Sequence, residues 1–272
     1  MTTDPDALKI ANDSGFQLQI AIEQLVNATS NTNGWRVRYV EHAWANPAYD
    51  ESGFIDIVLQ DRHGSTFLVI ECKRMRESTW LFMHSDGTVK ARRHTKSWVS
   101  RYSNNNAKFF GWQNVPMDLA TPEALFCAVR GQSANDKRTL IERIGSELIS
   151  STEALAIEER NFRRPDHDMI RFYFNIIVTT AELKVAKFDP KNISLLDGTL
   201  PDAEILDVPF LRFRKQMTTR GIPLTAKDYA NDSTGAASAY AKEHTIFIVR
   251  ADALLEFLEL FEVPQDTINL FI

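Results

Sequence analysis

The stretch GFIDIVLQDRHGSTFLVIECKR, residues 53–74, constrains the fold more than any other. Two runs of Ile, Val, Leu and Phe flank the polar loop Arg62-His63-Gly64-Ser65, a pattern that predicts a β-hairpin over residues 54–73. Strands this apolar belong inside a sheet, which makes Asp56, Glu71 and Lys73 costly residues to place there. With a four-residue loop, residues whose numbers sum to 127 oppose each other, so Asp56 is expected directly across from Glu71. Side chains alternate along a strand, so Glu71 and Lys73 share one face and Cys72 points to the other. Like charges directly opposed across a strand pair repel. Two carboxylates held this way among apolar neighbours want a cation.

A divalent metal resolves the conflict. Mg²⁺ takes oxygen ligands at about 2.1 Å, commonly one or two carboxylates plus waters and phosphate oxygens. The Cys72 backbone carbonyl would add a ligand. Lys73, on the same face, would orient a water, help its deprotonation or hold a phosphate as a point charge. The competing reading is a structural salt bridge of Lys73 with Asp56 or Glu71. It accounts for the lysine but leaves one carboxylate unpaired in an apolar setting unless its pKa rises.

Asp56, fourteen intervening residues and then Glu71-Cys72-Lys73 on two paired strands resembles the PD-(D/E)xK nuclease superfamily. The resemblance implies an α/β, restriction-endonuclease-like core: a mixed central sheet flanked by helices, in the order helix, three strands, helix, strand over about residues 10–180. It implies Asp56 and Glu71 as ligands of Mg²⁺, with Mn²⁺ as a substitute, and Lys73 as the catalytic lysine. Ile55 stands where the family's named proline would be. Glu23 is the candidate for the metal-supporting glutamate that many relatives carry on the first helix, with Gln19, one turn earlier on the same face, as the alternative. Gln132 resembles a glutamine that some relatives place beside the site, although Asp136 stands where the tyrosine of a Gln-x-x-x-Tyr pattern would be. The implied activity is phosphodiester hydrolysis in nucleic acid, DNA favoured over RNA, in a bacterial restriction, repair or phage-defence role. A homodimer or a partner protein in a multi-subunit system fits the same resemblance. The alternative is a catalytically silent nucleic-acid-binding or scaffold subunit that keeps the fold.

Charge points toward a polyanion at one place only. The chain's net charge is −5, yet residues 73–108 hold nine Lys or Arg against two acids, +7, which leaves −12 elsewhere. Arg74, Arg76, Arg92, Arg93, His94, Lys96 and Arg101 are the expected nucleic-acid contacts, interleaved with Trp98, Tyr102 and Trp112; a solvated loop with chance enrichment is the plainer reading. Two cysteines make no disulfide framework and six histidines show no metal spacing. No glycine-rich phosphate loop is present, so no nucleotide cofactor is expected. The polar start and the lack of a long apolar run lead to the expectation of a cytoplasmic protein away from membranes.

Elsewhere the pattern predicts a helix over 7–28 capped by Asp13 or Ser14 and ended by TSNTNG, then a strand at WRVRYVEHAW. Residues 74–131 read as a long basic insertion with short helical pieces up to Trp112. A long amphipathic helix is expected over 135–160, a central strand from 172, strands at DVPFLRFRKQM and TIFIVR, and a helix at 251–261. DYANDSTGAASAYAK is expected to be a mobile loop. One domain spans 1–272, its core over about 10–188 and extended by 205–272.

Overall fold

Residues 4–46, 50–103, 106–130, 139–161, 170–217 and 242–272 are described by a computed structural model. Asp4 opens α1 (Pro5–Asp13) by accepting from the amides of Asp6 and Ala7. Ser14, in extended backbone, ends it, and α2 (Phe16–Asn33) starts after Gly15 without a side-chain cap. The single helix expected over 7–28 is therefore two, and neither Asp13 nor Ser14 caps the second. Of the run TSNTNG, only its last residue ends α2, which therefore runs past residue 28. The hydroxyls of Thr29 and Thr32 bond back to carbonyls of Leu25 and Thr29, so these residues stay helical until Gly34 at φ 76°, a left-handed conformation suited to glycine.

Three antiparallel strands follow, β1 (Trp35–Asn46), β2 (Glu51–Asp61) and β3 (Thr66–Lys73). The basic stretch after them is not a loop with helical pieces. It forms β4 (Thr79–Met83), β5 (Ala91–Ser103), β6 (Asn106–Ala124) and β7 (Phe126–Val129), with β5 and β6 paired as one long hairpin. Its period was invisible because residues 97–101 of β5 are buried on both faces, so polar and apolar side chains do not alternate. Helix α3 (Leu140–Asn161) comes next; the expected start near Asn135 lies outside the described residues. Then come β8 (Arg171–Thr179), β9 (Glu182–Lys187), β10 (Glu204–Asp207), β11 (Phe210–Gln216), β12 (Glu243–Arg250), α4 (Leu254–Leu260) and α5 (Gln265–Leu270). The segment DYANDSTGAASAYAK, apart from its last residue Lys242, is outside the described residues.

The main sheet runs β1-β2-β3-β8-β12-β11-β6-β5, and β10-β9-β4-β7 form a second, four-stranded sheet. Strands β3, β8 and β12 are mutually parallel, and the long connection from β3 to β8 passes through α3. One edge of β8 is shared: Arg171, Phe172 and Tyr173 pair with β5, whereas residues 175–179 pair with β12. Strands β8, β12, β11, β6 and β5 thus close a circuit of pairings. The result is a mixed α/β structure with a sheet-dominated core, in which β11 and β12 belong to the main sheet and β10 to the second.

Two apolar layers hold it together. On one side α3 packs Ile141, Ile144, Leu148 and Leu155 over Val69, Tyr173 and Ile177; on the other α2 and α4 cover Leu68, Ile70, Phe174 and Phe247. All of β8 after Arg171 is buried, in accord with an apolar sequence interrupted only by Asn175 before its final Thr179. Among the described residues no helix is long and apolar enough to cross a membrane.

Candidate active site

The hairpin closes in the expected register, Gln60 with Phe67 through Ile57 with Ile70. Asp61 accepts the amides of Ser65 and Thr66 at 2.8 and 3.1 Å, and Gly64 takes φ 72° in the turn. The ladder then stops one step short of Asp56 and Glu71. Continued regularly, it would offer the Cys72 amide a main-chain carbonyl of β2. That amide instead donates to Asp56 Oδ2 at 2.6 Å. Asp56 is therefore not simply face to face with Glu71 as the register implied: its carboxylate has taken the place of a ladder acceptor.

Strand alternation breaks at this point. Ile57 packs in the layer under α2, while Ile55, two residues earlier, packs in the layer under α3. On the neighbouring strand, Val40 and His42 pair with Ile57 and Ile55, which leaves Glu41 level with Asp56, at φ 50°. A non-glycine residue held there is strained, and such irregularities gather where a strand re-aims side chains. Glu41 was missed in the sequence because the irregular connection after β1 hides its register.

Glu71 and Lys73 do share a face, partly exposed, and Lys73 Nζ lies 2.5 Å from Glu71 Oε1; Cys72 is buried on the opposite side. Lys73 O accepts from Thr180 N at 3.3 Å, toward β8. Because neighbouring peptide groups alternate edges, the Cys72 carbonyl faces β2 with its amide, beside the Asp56 carboxylate. Burial first, and the charge of Glu71 second, push the Asp56 carboxyl up to about 6, with Glu41 adding to the rise against the Cys72 amide and Lys73. The buried Cys72 thiol is pushed well up by burial, so it is no thiolate nucleophile.

From α2 it is Gln19 that reaches the hairpin. Its side chain is buried, and Nε2 donates to Asp56 O at 3.0 Å. Glu23, one turn on, is half-buried, and no hydrogen bond or ion pair joins it to the described residues. Gln132 lies outside the described residues. Among the described residues no three His, Cys, Asp or Glu side chains form a metal cage of their own. The donor set nevertheless suits a hard cation: two carboxylates and a carbonyl, all oxygen, with one carboxyl disfavoured as an anion until a positive charge joins it.

The expected phosphate contacts do not gather on one wall. Arg74 donates to Ser14 O at 3.4 Å, and Arg76 donates to Asn12 O at 3.3 Å and pairs with Asp13, so both are engaged by the α1–α2 junction. Arg92 and His94 are exposed on β5, and Arg93 donates to Asp118 O at 2.7 Å. Lys96 is half-buried, and its pKa is lowered by burial. Arg101, expected at the nucleic-acid surface, is instead buried, and its guanidinium donates to Phe271 O at 2.8 Å and to Ile272 O, inside the protein rather than toward a ligand. Trp98 is also core, edge-on to Trp112 and Phe110, and the Tyr102 side chain lies outside the described residues. For Arg101 and Trp98 the sequence misleads because a buried strand edge and a solvated groove draw on the same mixture of cations and aromatics. No protein-family model matches this chain, and neither a curated protein nor a solved structure matches it significantly.

Proposed function

We propose that this chain is a metal-dependent nuclease of the PD-(D/E)xK type, hydrolysing phosphodiester bonds with DNA as the favoured substrate. One observation carries the reading: Asp56, Glu71, Lys73 and the Cys72 carbonyl converge where the β2–β3 ladder gives way, and the Asp56 carboxylate replaces a backbone acceptor there. A salt bridge alone accounts less well for this. Lys73 pairs with Glu71, and Asp56 is left with a proton affinity raised by burial and by that same Glu71.

Asp56, Glu71 and the Cys72 carbonyl would hold Mg²⁺ or Mn²⁺. When bound, the cation supplies positive charge to the phosphate being attacked. Gln19 fixes the Asp56 peptide from behind. Lys73 would part from Glu71 and place its ammonium against a phosphate oxygen or the attacking water. Attack by water forms one P–O bond and breaks the P–O bond to the leaving hydroxyl, which takes up a proton. The test is incubation of pure protein with circular DNA, linear DNA and RNA, with Mg²⁺ or with EDTA. Cleavage of DNA in Mg²⁺ alone is the expected result. Binding without cleavage would instead favour a silent nucleic-acid-binding or scaffold subunit.

A further inference from the structure

Beside the hairpin end, a hollow of about 820 Å³ opens between the ends of β1 and β2 and the later turns of α3. Trp44, Gly53, Phe54, Ala154, Ile157 and Glu158 line it. We propose that this hollow takes one unstacked nucleobase of the substrate strand, so that single-stranded DNA or a frayed end is preferred over closed duplex. The identity of the ligand rests on the nuclease reading above.

Position is the first reason. Phe54 precedes Asp56 by two residues on β2, about 7 Å at a strand's rise, so a phosphate at Asp56 brings a neighbouring base within reach of the hollow. Surface chemistry is the second. Phe54 is 63% exposed and Ile157 39% exposed, two large apolar side chains on one concave surface. Buried Trp44 joins them, and Gly53 makes room for it: a Cβ there would sit 3.2 Å from the indole Nε1. Every base has a π-face, so an aromatic platform beside a backbone-binding site suits an unpaired nucleotide of any sequence. The rim is polar. Glu158 lies 3.2 Å from His42 Nε2, and His42 stacks on Tyr39 at 4.4 Å, which leaves a carboxylate able to accept from a base's amino group.

The experiment reads binding alone, in EDTA, by fluorescence anisotropy of a labelled single-stranded oligonucleotide and of the blunt duplex of the same sequence. Phe54→Ala should weaken single-strand binding about tenfold and duplex binding little, and Phe54→Trp should restore it. An abasic residue moved along the oligonucleotide should cause the same loss at one position, with no further loss in Phe54→Ala. Unchanged single-strand affinity, or an equal loss for strand and duplex, would overturn the proposal. Should Phe54→Ala melt early, Ile157→Ala is read in its place. Because no cleavage is scored, the two readings fail separately. Base-dependent binding without nuclease activity would keep the hollow and sink the enzyme, and Mg²⁺-dependent cleavage with Phe54-independent binding would do the reverse.

Discussion

Asp56 answers to several neighbours at once, among them the Cys72 amide, the Glu71 carboxylate and Gln19 behind its carbonyl. Asp56→Ala and Lys73→Ala should each abolish cleavage, one by removing a ligand and the other by removing the cation that meets phosphate or water, while thermal melts of the metal-free proteins stay close to wild type. Asp56→Asn isolates the electrostatics. Folding raises this carboxyl from 3.8 to about 6, so the unfolded chain gives up the proton first. The stability this residue contributes is present below about pH 3.8 and is lost as pH rises through about 6. Asn keeps an oxygen for the Cys72 amide without the charge. At pH 7 the metal-free variant should be the more stable by on the order of 1 kcal/mol, after allowance for partial exposure, and the gain should vanish near pH 4. Urea unfolding at several pH values measures it. A variant that melts far below wild type at pH 7 would instead favour the salt-bridge account.

Strands rather than helices carry most of the basic segment, with Arg74, Arg76 and Lys90 in the connections, and that changes what its cations do. Arg101 sits in β5 with its guanidinium against carbonyls near α5, so Arg101→Ala should cost on the order of 2–3 kcal/mol by leaving buried acceptors unmet. Equilibrium unfolding checks this. Arg92, exposed on the same strand, should behave oppositely: Arg92→Glu should leave stability within about 0.5 kcal/mol. If β5 touches DNA, the same change should lower affinity for all sequences and flatten its salt dependence, as loss of a phosphate contact does. An unaltered binding curve would assign Arg92 to solvent. At this scale the hairpin was legible because loop length sets register, and β8 because burial on both faces leaves a nearly continuous apolar run. The break between α1 and α2 was not, since Ser14 and Gly15 interrupt the helix without interrupting its apolar spacing.

Across the whole molecule, Arg212 ties the circuit of strands together from inside. Fully buried on β11, it donates to Thr95 Oγ1 at 3.1 Å, Thr121 Oγ1 at 2.7 Å and Leu119 O at 2.6 Å, and lies over the Phe247 ring at 4.7 Å. Arg212→Met keeps much of the volume but strands those acceptors, and should destabilise by on the order of 3 kcal/mol in urea unfolding. The chain's sequence by itself determined the local facts: a central hairpin in a stated register, a buried strand after a long helix, and two carboxylates with a lysine at one hairpin end. Each follows from the period of neighbouring side chains, which needs no distant partner. Tertiary structure alone decided that Asp56 would turn to the Cys72 amide, that Glu41 would stand beside it, that Gln19 rather than Glu23 would reach it, and that Arg101 and Arg212 would be interior. Those outcomes depend on which strands meet across long stretches of chain, and a cation reads the same in sequence whether its partner is a buried carbonyl or a phosphate.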